Sequence, residues 1–410
     1  MKNIWIFNQY NMPPEHGHLN RHYNFGKYLN RKGYKPVVFV GSSLHNSNIQ
    51  MISDNSLYKI YENCDFPYVF VKTCDYAKSR IKRVYAMFEF YRNLLKVTKN
   101  FDKPDFILGS SAHPFAAIAA IKLANKYKCK SIVEVRDLWP ETFVAYNIMN
   151  KNNPLLRLLY AGEKWIYKNA DNLIFTMMGG KDYLKKQGWD VASGGPIDLN
   201  KVYHINNGVD LEVFDYNKVH NIIDDEDLND KSSFNVVYTG SIRLINKIGI
   251  LLDAAKLLKG TNIKILIWGN GDQLSKLRKR VNDEDIDNVY FKGHVDKKFI
   301  PYITSHSNLN IIISENMPLF QFGSSMNKMF DYFASGNPTL FTFKVGYSLV
   351  SKYNAGIELD DSSANNIAKS ILYFKNLNQI DYDEYTKNAR RVAEDYSFNN
   401  LTNSLIDILE

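Results

Sequence analysis

The residues best placed for chemistry lie where short apolar runs end in glycine and helical spacing begins. Four such turns occur, at residues 13–20 (PPEHGHLN), 240–247 (GSIRLINK), 269–272 (GNGD) and 322–328 (FGSSMNK). A strand that ends this way and opens a helix leaves free backbone N–H groups at the positive end of the helix dipole, so each turn can cradle a phosphate. The same turns also serve geometry alone in many α/β loops. The strict GxGxxG and GxxxxGK[ST] spacings are absent, which excludes a P-loop NTPase. In the last turn Asn327 and Lys328 open a helix whose amides can face a diphosphate. One turn on, Asp331 can accept both hydrogen bonds of a ribose diol; the alternative is an ordinary surface helix residue.

Two clusters invite a metal assignment. Glu15, His16 and His18 surround Gly17, but three residues on one short loop do not define a coordination sphere. Asp224, Asp225, Glu226 and Asp227 form an acidic run with no further ligands nearby, which reads as an exposed loop. No metal is expected at either place.

Residues 78–99 (KSRIKRVYAMFEFYRNLLKVTK) carry seven Lys or Arg against one acidic residue. Wound as a helix, the segment has one apolar and one basic face. Such a helix can lie on an anionic bilayer, or pack its apolar face on a sheet and leave the basic one in water.

The elements that must position these residues follow from periodicity. Apolar runs at 2–8, 36–40, 105–108, 131–135 and 173–176 alternate with helical spacing at 21–31 and 114–126. The pattern restarts with runs at 235–238, 263–268, 289–291, 309–313 and 339–342, and helices at 249–258 and 327–335. Short apolar runs alternating with helices predict parallel sheets covered on both faces. The fold class is α/β, with domains at 1–200 and 201–381 and a C-terminal helix over 382–410.

Composition agrees. The chain has 410 residues, is 45% hydrophobic and 23% charged, and carries a net charge of +8 with a pI near 9.0. The positive charge is spread along the chain and no nucleic-acid-binding motif accompanies it, so a phosphorylated substrate or an anionic surface is the expected partner. Cys64, Cys74 and Cys129 form no CxxC pair, which points to a reducing cytosol rather than a disulfide framework. The N-terminal apolar run is too short for a signal peptide, and no apolar stretch reaches membrane-spanning length.

The ordered set of segments resembles glycosyltransferase family 4, of GT-B fold. The carriers are residues 13–29 (PPEHGHLNRHYNFGKYL), 134–142 (EVRDLWPET), 163–171 (EKWIYKNAD), 206–214 (NNGVDLEVF), 267–271 (IWGNG), 291–295 (FKGHV) and 326–338 (MNKMFDYFASGNP). Within that family the chain is most similar to enzymes that add N-acetyl-fucosamine-type sugars to lipid-linked precursors of O-antigen or capsule. The resemblance implies two Rossmann-like domains facing across a cleft, the C-terminal one holding a UDP-sugar such as UDP-N-acetyl-L-fucosamine. It implies an undecaprenyl-diphosphate saccharide as acceptor, transfer with retained configuration, and a peripheral place at the inner face of the cytoplasmic membrane. No divalent metal or other cofactor is implied, and the C-terminal helix is expected to cross back to the N-terminal domain.

The resemblance also assigns roles. Gly17 would let backbone approach the donor phosphate. Arg243 and Lys247 would neutralise the diphosphate, although Ser241 stands where the family commonly has Arg; Lys247 can equally be a solvated helix residue. His294 would lie at the nucleobase turn or be an exposed loop histidine. Asp331 matches the second of two family glutamates, and Gly323 occupies the place of the first. Arg136 replaces a common histidine. Asp137 is the candidate to orient or deprotonate the acceptor hydroxyl, the alternative being an N-cap. Glu141 and His113 are reserves, His113 also being a candidate helix cap. A GT-B UDP-sugar 2-epimerase and a non-catalytic subunit of a capsule-assembly complex are the rival readings.

Overall fold

A computed structural model describes residues 1–17, 20–45, 47–77 and 79–410. Two compact units emerge, residues 1–206 with 401–410, and residues 207–400.

The first unit contains β1 (Asn3–Phe7), α1 (Arg21–Arg31), β2 (Lys35–Gly41), β3 (Tyr58–Tyr61), β4 (Tyr68–Val71), α2 (Arg80–Val97), β5 (Phe106–Ser110), α3 (Pro114–Tyr127), β6 (Lys130–Val135), α4 (Trp139–Ala145), α5 (Pro154–Asn169), β7 (Asn172–Phe175), α6 (Gly180–Lys186) and β8 (Val202–His204). Among the described residues its strands form one sheet, ordered β3-β4-β2-β1-β5-β6-β7-β8. Pairing is parallel except at the β3 edge. The inner strands are mostly apolar because helices cover both faces, with Glu134 of β6 a buried exception. Trp5, Phe7 and Phe39 interlock there, with Phe39 edge-on to both at 5.9 and 5.4 Å. The alanines of α3 (Ala116, Ala119, Ala120, Ala124) bring that helix close over the same core.

Helix α2 packs one apolar stripe on the first unit's sheet and carries a second one outward. Ala86, Phe90, Leu94 and Val97 are buried, three or four residues apart, against the sheet. A second apolar stripe with the same spacing points outward: Ile81, Val84, Tyr85 and Phe88 are 83%, 61%, 51% and 48% exposed. Ser79 caps the helix, its hydroxyl accepting from the Lys82 N–H at 3.3 Å. Lys78, counted with this segment, lies outside the described residues.

The second unit contains α7 (Leu211–His220), α8 (Glu226–Asn229), β9 (Phe234–Thr239), α9 (Ile248–Leu257), β10 (Ile263–Trp268), α10 (Leu274–Asp283), β11 (Val289–Gly293), α11 (Ile300–Ser305), β12 (Leu309–Ile312), α12 (Asn327–Ser335), β13 (Thr339–Phe341), α13 (Leu349–Tyr353), β14 (Gly356–Glu358), α14 (Ala364–Lys375) and α15 (Gln379–Asp395). Its described strands form an all-parallel sheet, ordered β11-β10-β9-β12-β13-β14. Helix α16 (Phe398–Leu409) follows, and residues 401–410 group with the first unit.

Two expectations are corrected here. The C-terminal segment is two helices, not one. Val209 N–H donates to Tyr396 C=O at 3.2 Å and Phe398 N–H donates to Val209 C=O at 2.9 Å, so the backbone at Ser397 pairs as a strand and interrupts the helix. The acidic run is an exposed loop only in part: Asp224 and Glu226 are exposed, while Asp225 and Asp227 are partly buried. Asp225 caps α8, and Lys292 Nζ reaches Asp225 at 2.8 Å and Asp227 at 2.7 Å. Lys264 Nζ reaches Asp227 at 2.9 Å and Asp230 at 3.0 Å. Lysines on neighbouring strands consume the carboxylates as a partly buried ion network.

Candidate functional site

In an open parallel sheet the loops after the strands gather at the carboxyl edge, where ligands bind. In the second unit two glycine turns meet at that edge, one after β9 and one after β10. Gly240 N–H donates to Trp268 C=O at 3.0 Å, and Ile242 N–H to Asn270 C=O at 2.9 Å. Gly269 has φ +152°, and a Cβ there would sit 1.8 Å from the Gly240 carbonyl oxygen, so no other residue fits without moving the turn.

Helix α12 starts beside these turns. Met326 stands at its N-cap and contributes no side-chain hydrogen bond, which leaves the opening amides of Asn327 and Lys328 available to an anion. The Tyr332 hydroxyl accepts from Thr239 N–H at 2.8 Å and so ties α12 to the end of β9. Lys328 Nζ donates to the Tyr238 hydroxyl at 3.2 Å and lies 4.4 Å from that ring's centre. Among the described residues no carboxylate pairs with it, and burial pushes its pKa down to about 8. An ammonium partly withdrawn from water, with no carboxylate beside it among the described residues, suits an anionic ligand. Asp331 is 16% exposed and lies 3.9 Å from Lys297 Nζ, so it is not an ordinary surface residue.

The remaining residues expected here are more dispersed. Arg243 is exposed. Lys247 adopts left-handed backbone at φ +49° and lies 3.4 Å from Glu315. Both border a groove between α9 and α10. His294 is exposed in the turn after β11.

The first unit holds a buried charged group that the sequence reading did not assign. Glu134, on β6, is fully buried. Arg21 Nε donates to its Oε1 at 2.8 Å, His22 Nε2 lies 2.8 Å from its Oε2, and the Ser110 hydroxyl donates to Oε2 at 3.0 Å. Burial alone would raise the Glu134 pKa, but Arg21 and His22 outweigh it and hold the carboxyl well below its usual range. Burial lowers the His22 pKa against the pull of Glu134. Arg21 also donates to the carbonyls of Ile205 at 2.9 Å and Asn206 at 2.5 Å. One guanidinium therefore fixes the start of α1, the end of β6 and the last residues before the second unit. The signal was a glutamate inside the buried run SIVEV, which requires a partner. Its partners are 113 and 112 positions away in sequence, too far for spacing to reveal.

Asp137 is exposed two residues beyond β6. Leu138, not Asp137, occupies the N-cap of α4, and no side chain caps that helix, so the capping alternative is wrong. Glu141 accepts from the Tyr160 hydroxyl. His113 stands at the N-cap of α3 but makes no capping bond; it is fully buried, and burial, with Arg83 adding, pushes its pKa down to about 3. Gly17 follows a single 3-10 turn (Pro14–His16) at φ +154°, with Met12 Sδ 2.3 Å from where a Cβ would be. Glu15 accepts from the Tyr61 hydroxyl, His16 lies 3.9 Å from Glu15, and His18 is outside the described residues. Among the described residues no group of three His, Cys, Asp or Glu is placed to hold a metal ion.

The Lys328 geometry gives a pH prediction. Below pH 8 the free protein presents a charged ammonium. Above it the proton is lost and must be regained to bind an anion, so pyrophosphate affinity falls as pH rises through about 8, by up to about tenfold per unit. Titration calorimetry of wild type and Lys328→Gln isolates this share, because the variant lacks that part of the slope. Equal slopes in the two proteins would remove Lys328 from the site.

Residues 20–213 match Glycosyltransferase Family 4, and residues 233–375 match Glycosyl transferases group 1. No curated protein sequence matches the chain. Among solved structures it is similar to sucrose-phosphate synthase from Thermosynechococcus elongatus, at 15% identity and TM-score 0.72, over 100% of this chain and 98% of that one. It is similar to Anabaena HepE in complex with UDP-glucose, at 14% identity and TM-score 0.66, over 100% and 99%. It is also similar to a trehalose-6-phosphate structure from E. coli bound with UDP-2-fluoro glucose, at 11% identity and TM-score 0.70, over 99% and 98%. With two α/β units, a glycosyltransferase segment in each and this shared architecture, the chain is a nucleotide-sugar-dependent glycosyltransferase of GT-B fold.

Proposed function

We propose that this enzyme moves a sugar of the N-acetyl-fucosamine type from its UDP carrier to an undecaprenyl-diphosphate-linked saccharide, with retained configuration, in capsule or O-antigen synthesis. The observation that carries the donor half is Lys328, a partly buried ammonium with no carboxylate partner among the described residues, beside two interlocked glycine turns and an uncapped helix. The choice of UDP is supported by the similar proteins solved with UDP-glucose and UDP-2-fluoro glucose. As the bond from the sugar to the diphosphate breaks, charge grows on the leaving oxygen, and a fixed cation with helix amides stabilises it. The acceptor oxygen forms the new bond on the same face. Its proton passes to the leaving phosphate, with Asp137 orienting the hydroxyl. Asp331 takes the ribose diol, Gly17 approaches the donor phosphate, and Arg243, Lys247 and His294 complete the nucleotide's surroundings.

The acceptor half rests on α2. Its outward stripe of Ile81, Val84, Tyr85 and Phe88, with Lys82, Arg83 and Arg92 on the same helix, suits an anionic bilayer in which a lipid-linked acceptor resides. No described helix is long and apolar enough to cross a membrane, so the reading is of attachment at the cytoplasmic face.

Thermal-shift measurements with UDP, GDP, ADP and CMP test the donor. A ligand that binds only the folded state raises its melting temperature. UDP alone should stabilise the wild type, and the gain should vanish in Asp331→Ala; no shift with any nucleotide would remove the donor assignment. Co-sedimentation tests the membrane. Wild type should pellet with vesicles containing phosphatidylglycerol, and Ile81→Asp/Phe88→Asp should stay in solution; absence of wild-type binding would end this part of the proposal.

A further inference from the structure

The helices over one face of the first sheet carry a charge pattern that their packing does not explain. The crossovers β4–α2–β5, β5–α3–β6 and β6–α5–β7 all step the same way along the sheet, and crossovers of one hand then place their helices on one face. Helix α3 packs against both α2 and α5, so the three form one layer. They contain two carboxyl groups, and both are engaged with the protein's own donors. Glu89 accepts from the Cys74 N–H at 2.6 Å. Glu163 is buried and accepts from the Tyr167 and Tyr183 hydroxyls at 2.7 and 2.8 Å. Lysines and arginines face water instead: Lys122 and Lys126 of α3, Arg157 and Lys168 of α5, and those already named on α2.

Helix α5 also has an apolar ridge left in the open. Leu155, Leu158 and Trp165 are 48%, 68% and 43% exposed, and with exposed Gly162 they fall at i, i+3, i+7 and i+10, one stripe of a helix. The other side of the helix is already used: Leu156, Ile166 and Tyr167 are buried, and the Tyr167 ring lies 5.7 Å from that of Phe175 on β7. Helix α3 exposes no large apolar side chain. The layer is therefore two apolar ridges, on α2 and α5, joined by a helix that shows lysines.

Charge decides what covers the α5 ridge. Leucines and a glycine at this spacing could pair α5 with its counterpart in a second copy of the chain. Arg157 and Lys168 would then meet like charges, with no exposed carboxylate on the helix to answer them. An acidic peptide would fill one groove, whereas this face has two ridges separated by a helix. A bilayer containing anionic lipid matches every part. Acyl chains take the ridges, headgroups take the lysines and arginines, and a tryptophan suits the boundary between them.

We propose that α5 is a second membrane contact, so that the first unit rests on anionic lipid through α2 and α5 together, with α3 over the headgroups. This extends the α2 attachment proposed above and rests on it. Two lines of contact define a plane, so the sheet is held at one orientation to the bilayer, whereas a single helix would leave it free to roll.

Trp165 reports the contact directly. It is the one exposed tryptophan of the five: Trp5, Trp189 and Trp268 are buried and Trp139 is half-buried. Full-length protein is mixed with vesicles of phosphatidylglycerol and phosphatidylcholine, the latter with brominated acyl chains that quench tryptophan on contact. Wild-type emission should fall, and most of the fall should be lost in Trp165→Phe. Leu158→Asp, at an exposed position, should keep the wild-type melting temperature while vesicle affinity drops about tenfold, as expected for withholding one leucine from hydrocarbon. Vesicles that pellet the wild type without quenching Trp165, or that bind Leu158→Asp as tightly as wild type, would overturn the α5 contact and leave α2 standing. A lipid-free dimer that Leu158→Asp converts to monomer in sedimentation velocity would give the ridge to a second copy and overturn the contact as well. Failure of the wild type to pellet at all would end the attachment reading itself, and this contact with it.

Discussion

A partly buried lysine with no carboxylate beside it among the described residues is the constraint around which the second unit is arranged. Lys328 could be relieved by turning outward or by a nearby acid, and neither occurs. Its stem is held between the Tyr238 ring and the Gly240 turn, and α12, which carries it, is tied to β9 through Tyr332. Elsewhere in the same unit Lys264 and Lys292 have their acids: they share Asp225, Asp227 and Asp230. The contrast matters because isolated buried charge is costly and is retained where a ligand completes it. Interlocked glycines and an uncapped helix N-terminus at the same edge supply the rest of an anion cradle.

The first unit solves a similar problem internally. Glu134 is enclosed but fully answered by Arg21, His22 and Ser110, so it orders structure instead of awaiting a ligand. Through Arg21 it fixes the residues leading to the second unit, where Asn207 in turn donates to the Ser325 carbonyl at 2.5 Å, just ahead of α12.

Much of the architecture was legible because parallel sheets write themselves as short apolar runs. Helices 21–31 and 327–335 and the strand at 263–268 coincide with their predicted bounds. The strands at Tyr58–Tyr61, Val202–His204 and Gly356–Glu358 were not, because edge strands of three or four residues carry mixed polarity and no period. The break at Ser397 depends on a partner, Val209, that lies 188 positions away. At the site, Asn327, Lys328 and Asp331 were legible because a helix start and one turn fix their relation locally. The partial burial of Lys328 with no acid beside it among the described residues was not, since burial is a property of the surrounding fold. Arg243 and Lys247 illustrate the limit: their charge was visible, but the left-handed turn at Lys247 and its pairing with Glu315 were not.

The most direct test of the account is a crystal structure of the protein with UDP. The account predicts that the diphosphate lies over the amides of Asn327 and Lys328, with Lys328 Nζ within hydrogen-bond distance of a phosphate oxygen and the ribose against Asp331. UDP bound instead in the groove of Arg243 and Lys247 between α9 and α10, with Lys328 untouched, would contradict it.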